Sequence, residues 1–405
     1  MTDLRNVTIE SISGSAADAF TRLRTSPPFT IFDSKQLNDN LPLLWDDAET
    51  SGSGTSSSHS VNTASTTISV GATTAGTRVR QTFRRFNYQP GKSQLVFLTG
   101  TIGSGGTGLT QRIGIFDDDN GLFFNIEEGT VKVTRRTKTS GAVVDNDTAQ
   151  SSWSVDKMDG TGTSGITLDF TKEQIFVIDF EWLGVGTVEF GFVVDKKLYT
   201  AHQIHTANSG TAVWASTPNL PLRYEISNDG TGAAASVEQV CGTVISEGGN
   251  NPSGVTRYKS TGATNIKCNT ADTAYAIIGL KLQSAKAGTT IDIQSISVLC
   301  ETNDDFEWFL VFNPTLGSAL SYSNLTNSAV QVAVGEASNP STSTVTGGTI
   351  VAGGYGAATV PSDIPIDNSL KLGKAIDGTL DEYVLAVRPL TSNAEVQGSI
   401  TWKEE

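Results

Sequence analysis

Short apolar runs alternate with polar residues from Gln111 to Ile226, broken by glycine-rich turns at Asn120-Gly121, Glu128-Gly129 and Gly184 to Gly186. A period of two interrupted by tight-turn residues predicts antiparallel strands joined by hairpins. The densest run, Ile175 to Trp182, puts Phe176, Ile178, Phe180 and Trp182 on one face and Asp179 and Glu181 on the other. Strands are expected at 66–70, 78–84, 93–101, 111–116, 122–126, 130–136, 174–182, 187–194 and 198–204. The series continues at 222–226, 237–245, 274–283 and 290–300. Strands this short and regular predict an all-β chain, an antiparallel β-sandwich of jelly-roll type with an N-terminal arm and a smaller C-terminal β unit.

Both ends depart from this pattern. Residues 15–24 read as a short helix with Ala16, Phe20 and Leu23 on one face, stopped by Pro27-Pro28. The apolar cluster Leu41 to Trp45 follows in a polar setting. A segment of this kind is expected to be an assembly arm, with Phe20, Leu23, Leu41, Leu44 and Trp45 docking on the chain's own body or on a neighbouring subunit. Residues 51–60 have the Ser/Gly/Thr composition of a linker. After Asp304 a new series begins, with strands expected at 308–312, 329–334, 382–387 and 398–402. The expected domains are therefore an arm and linker (1–60), a central jelly-roll-like sandwich (61–301) and a C-terminal β domain (302–405).

Composition narrows the class of partner. Charged residues are only 17% of the chain and glycines number 41, a loop-rich β composition nearer to exported and virion proteins than to helical enzymes. A net charge of −14 would repel a phosphate backbone, so no nucleic-acid partner is expected. The local basic strip of Arg78, Arg80, Arg84, Arg85, Lys132, Arg135, Arg136 and Lys138 reads first as polar strand faces, and second as a docking surface for an acidic partner. Cys241, Cys268 and Cys300 are odd in number and widely spaced, which excludes a complete disulfide framework. No stretch approaches the roughly 20 apolar residues that span a bilayer, so no membrane partner is expected. Met1 to Asn6 lacks the apolar core of a signal peptide, and synthesis in a cytosol is the expectation.

Candidate chemistry centres on three carboxylates. If the run at 187–192 folds back so that Phe180 meets Phe190 and Trp182 meets Val188, then Glu181 lies opposite Glu189, and Asp179 shares their face. Opposed Cβ atoms about 4.5–5.5 Å apart would suit a glycosidase pair. A solvated outer sheet face explains Asp179, Glu181 and Glu189 with less machinery, so no catalytic site is assigned. Asp117 and Asp119 resemble calcium ligands but precede Asn120-Gly121, the strongest short hairpin signal, and a turn is the expected reading. His202 and His205, at odd separation, fall on opposite faces of a strand. No metal and no cofactor is expected. Trp153, Trp214 and Tyr224 would stack on sugars if exposed and fill the core otherwise.

An ordered string of short motifs runs through the middle of the chain: Gly114 to Phe124, Arg135 to Gly141, Trp153 to Gly162, Ser164 to Phe170, Ile178 to Gly186, Asn219 to Glu225 and Val244 to Gly249. It resembles a group of tailed-phage virion structural proteins of minor-capsid or tail-appendage type, common in aquatic viruses. The resemblance implies a virion location and a minor capsid, head-decoration or tail-appendage role, and it carries over no catalytic residues. The expected function is assembly through protein–protein contacts with other virion proteins, as a homo-oligomer and without enzymatic activity. The alternative is an appendage that binds a host-surface glycan or receptor, with glycoside hydrolysis ranked after binding.

Overall fold

A computed structural model describes residues 28–405 apart from 250–252, 303, 359–361, 367–369 and 392. The expected helix, with Phe20 and Leu23, lies outside the described residues. Among the described residues there is no α-helix, and the chain is an antiparallel β-sandwich protein of jelly-roll type. It divides into two compact units between Asn251 and Pro252, with Phe83–Arg85 counted in the second.

The strands of the first unit are β1 (Phe29–Lys35), β2 (Trp45–Gly52), β3 (Thr55–Ser60), β4 (Ser65–Val70), β5 (Gly76–Thr82), β6 (Gln94–Thr101), β7 (Leu109–Phe116) and β8 (Gly121–Glu127). They continue as β9 (Thr130–Thr137), β10 (Val144–Ala149), β11 (Gln174–Phe180), β12 (Thr187–Val194), β13 (Lys197–His205), β14 (Leu222–Asn228) and β15 (Ala235–Ser246). One sheet has the order β13-β12-β11-β6-β15-β4-β3, with β1 also paired to β15; the other has the order β10-β9-β8-β7-β14-β5-β2. Alternation along the strands aims one side chain in two at the opposite sheet. Phe124 of β8 thus meets Phe176, Phe192 and Phe190 of β11 and β12 at ring-centroid distances of 5.0, 5.0 and 5.4 Å. All four rings are almost fully buried, each contributing about 1.5–3 kcal/mol by burial.

Three expectations are corrected in this unit. Residues 51–60 are no linker: they form the end of β2 and all of β3, and β3 pairs with β4 from Thr55↔Val70 to Ser60↔Ser65. Hydroxyl-rich residues become a strand here because the backbone of β4 offers a ladder, not because their side chains seek a core. The supposed arm is likewise part of the sandwich from Phe29 onward. Trp45 is only 2% exposed, donates its indole N–H to Ser34 Oγ at 3.2 Å and meets the Tyr224 ring edge-on at 6.0 Å. Leu41 and Leu44 pack on the same core. Of the two docking alternatives, these three residues take the chain's own body.

The third correction concerns Arg80, expected on a polar strand face and found with no exposed surface. Its guanidinium lies over the Trp45 ring and donates to Gln239 and Gln36 side chains and to the Asn40 carbonyl. Burial lowers its pKa to about 10 in spite of nearby Asp47.

The second unit begins earlier than expected, at residue 252 and not 302. Its five-stranded sheet has the order Val255–Ser260, Ala394–Glu404, Ile291–Cys300, Ser362–Pro365, with Ile266–Cys268 also on Ala394–Glu404. Its six-stranded sheet has the order Ser323–Asn324, Val330–Val334, Tyr275–Leu282, Glu382–Pro389, Phe306–Phe312, Thr349–Gly356. Strands at 255–300 thus find their ladders in the C-terminal hundred residues, and long-range pairing of this kind leaves no mark in local periodicity. A core including Ile278, Leu280, Ile296, Trp308, Leu385 and Trp402 lies wholly within this unit. Cys268 and Cys300 are buried free thiols there, and Cys241 is a half-buried free thiol in the first unit.

Candidate functional site

The three carboxylates sit at one end of the β11–β12 hairpin, in a different register from the one expected. Asp179, not Glu181, faces Glu189; Phe180 faces Val188 and Ile178 faces Phe190. The shift is two residues, which keeps every side chain on its predicted face, so periodicity alone could not reveal it. Glu181 lies past the last paired position and donates its N–H to the Thr187 carbonyl at 3.1 Å.

Burial also differs from the expected solvated face. Asp179 is 7% exposed and Glu181 0%, while Glu189 is half-buried. The residues around them explain the enclosure. Trp214 donates its indole N–H to the Glu181 carbonyl at 2.8 Å, and Trp182 donates to the Ala215 carbonyl at 2.8 Å, so the 206–216 loop is stitched to the hairpin end. Gly186 packs directly on the acid: a Cβ there would lie 2.6 Å from Glu181 Cβ and 2.8 Å from its Oε2. Tyr88 stacks on Phe180 at 6.0 Å and meets Trp182 edge-on at 6.3 Å. Burial, with Glu181 and Asp179 close by, pushes the Tyr88 hydroxyl up to about 12, although a hydrogen bond with the Trp182 backbone works the other way. Glu189 accepts from Gln203 Nε2 at 2.7 Å and from the Thr200 hydroxyl at 3.4 Å.

A glycosidase pair must reach both sides of the scissile bond. Glu181 offers no surface to solvent, and Glu189 is held by its neighbours across the strand. The three acids therefore do not form one accessible set.

The other predicted sites resolve into structure. Asp117 Oδ1 accepts the backbone N–H of Asp119 and Asn120 at 3.0 and 2.9 Å, and the Asp117 N–H closes the turn on the Asn120 carbonyl at 2.8 Å. Asp119 pairs with Lys138 at 2.8 Å. Both acids are thus occupied by the hairpin they were expected to form. His202 is buried and accepts the Ser154 N–H at 3.1 Å, whereas His205 is exposed. Trp153, Trp214 and Tyr224 are at most 5% exposed, so none of them presents a face to a sugar.

An extended polar network was not foreseen as a unit. It covers the outer face of the second sheet, where Phe116 and Phe123 lie 4.4 Å apart. Arg223 lies over Phe116 at 5.2 Å, and Arg112 and Arg136 lie over Phe123 at 5.5 and 5.2 Å. Glu225, 5% exposed, joins Arg112 at 2.7 Å and Arg223 at 2.6 Å; Arg136 pairs with Asp145 at 2.8 Å. Lys132 bridges Glu127 and Asp147. Much of the basic strip is therefore neutralised within the sheet, and the guanidiniums serve as lids on two phenylalanine rings. The sequence signal that could have found it is the phase of the charges. Arg112, Phe116, Phe123, Arg136, Arg223 and Glu225 occupy one face of four adjacent strands.

No protein-family profile and no curated protein matches the chain. Solved structures similar to it include a Bacillus licheniformis beta-glucanase (11% identity, TM-score 0.31, covering 54% of this chain and 98% of that one). A Bacteroides ovatus mixed linkage glucan GH16 in complex with product gives 8% identity and TM-score 0.36, covering 53% of this chain and 99% of that one. A legume lectin-like domain from Entamoeba histolytica gives 8% and 0.32, covering 53% and 97%. Values this low transfer no residue role to this chain.

Proposed function

We propose that the protein is a structural subunit of a tailed-phage particle, a minor capsid, head-decoration or tail-appendage component acting through protein–protein contacts, with other virion proteins and further copies of itself as partners. The observation that carries the reading is the contrast between closed faces and open edges in the first unit. The ionic chemistry of its faces is largely spent internally, on buried acids and on the arginine–phenylalanine ladder. Among the described residues its sheets end in strands with one free ladder side, and β10 is the most open of them, with Val144 44% exposed and Val143, just before it, 45%. An exposed edge with apolar side chains is a template for a strand of another chain. The motif string that resembles virion proteins runs through this same unit. Enclosure of Glu181 favours assembly over glycan hydrolysis.

Mass spectrometry of gradient-purified particles tests the reading. The chain is expected in intact particles at a fixed ratio to the major capsid protein. Its confinement to the unassembled fraction of the lysate would remove the virion assignment.

A further inference from the structure

The second unit carries a recess that none of the assembly chemistry uses. Along Val255–Ser260, Ala394–Glu404 and Ile291–Cys300, the registers Ser260↔Ser399↔Ser297 and Tyr258↔Thr401↔Ser295 place a row of hydroxyls on one sheet face. The alternate residues Ile296, Val298, Ile400 and Trp402 are buried in the core, so the hydroxyls point outward. Of these, Ser260, Ser297 and Ser399 line a hollow of about 260 Å³ with Tyr258, Leu299 and Gln397. Tyr258 is 60% exposed, one of the most exposed aromatic rings among the described residues. Gly262, at φ +65 in the left-handed region, keeps one rim open, since nothing stands within 4 Å of where its Cβ would be.

We propose that this recess binds a neutral saccharide. No residue lining it carries a formal charge, in a chain whose net charge is −14. A phosphorylated, sulfated or uronic ligand would find no counter-ion there, and a wholly apolar ligand would strand the hydroxyls without partners. The Ser297 and Ser399 backbones are in the ladder, but their hydroxyls make no side-chain hydrogen bond among the described residues, so both hydroxyls are available to a ligand. Gln397 is oriented from behind, its Nε2 donating to Asn265 Oδ1 at 2.8 Å, which turns its carbonyl oxygen into a fixed acceptor. Hydroxyl donors, an amide acceptor and one open aromatic ring suit a molecule with many hydroxyls and an apolar C–H face. The volume is a little under the ~300 Å³ at which small-molecule pockets begin, which fits a terminal sugar or a disaccharide end. A site this shallow binds weakly, and repeated display would be needed for useful avidity. The assignment stands on the second unit alone and is independent of the virion reading.

The test uses the full chain on an array of neutral and acidic oligosaccharides, followed by NMR titration of the best neutral binder. Binding to a neutral glycan is expected, with affinity about tenfold weaker in Tyr258→Ala and largely kept in Tyr258→Phe, where the ring remains. Circular dichroism of both variants should match the parent, since the ring is mostly outside the fold. No neutral binder on the array, a preference for acidic glycans, or affinity unchanged in Tyr258→Ala would each overturn the site.

Discussion

Replacing Glu225 with alanine is expected to destabilise the first unit by about 3–5 kcal/mol, the usual cost of leaving a buried charge without its partner. The carboxylate lies between Arg112 and Arg223 at 2.7 and 2.6 Å, and Arg223 is itself buried. Without it two guanidiniums stay pinned over Phe123 and Phe116, and Arg223 keeps the exposed Asp118 carboxylate and a long 3.5 Å contact to Gln81. The pH dependence has a definite sign. Burial by itself would raise the Glu225 pKa, but Arg223 and Arg112 outweigh it and hold the carboxyl below its ordinary value. A depressed folded-state pKa gives stability that is present above the unfolded value, about 4.3, and is lost as pH falls through the folded one. Urea denaturation from neutral to acidic pH should therefore show a smaller midpoint for Glu225→Ala at pH 7, converging on the parent in acid. A loss under about 1 kcal/mol at neutral pH, the scale of an exposed ion pair, would mean that the ladder re-pairs and is not one network.

A second large effect is expected in the other unit. Trp402→Ala removes a side chain with no exposed surface from the middle of the five-stranded sheet, and truncating a buried tryptophan costs about 3–5 kcal/mol. The change also strips Glu404 of the indole N–H that it accepts at 2.9 Å, while the same carboxylate still holds the Ala329 N–H at 2.9 Å. Because the two apolar cores share no residue, the damage should be confined. Limited proteolysis of the full chain is the measurement: new cleavages are expected within 253–405, with the strands from Phe29 to Ser246 as resistant as before. Equal loss of resistance in both units would show that they unfold together.

What the sequence made legible follows from which forces act locally. The hairpins from β7 to β9 and from β11 to β13 could be read because their apolar residues recur every second position and their turns, apart from Asp195-Lys196 between β12 and β13, carry Asn-Gly or glycine. β3 could not, since Thr55 to Ser60 has no apolar residue and is a strand only through β4. Arg80 looked like a surface cation because residue type is a poor guide once Gln36, Gln239 and Asn40 converge on one guanidinium. The Asp179 and Glu181 face was right and its exposure wrong: a strand pattern says which side a residue takes, not what later covers it. The Tyr258 recess joins residues about 140 positions apart and had no local signature.

The pairing of β1 with β15 carries a cost in time. Ser34 and Gly242, whose side chain and carbonyl meet in that pair, are 208 residues apart along the chain. At about 5–20 residues per second, a ribosome needs roughly ten to forty seconds to deliver the second after the first. Until then Phe32 and Trp45 lack the share of their cover that β14 and β15 supply, so apolar surface of the first unit stays exposed on the nascent chain until that unit's last strand arrives. Chaperone occupancy, more than the stability of the finished fold, would then set how much of this protein a cell can make.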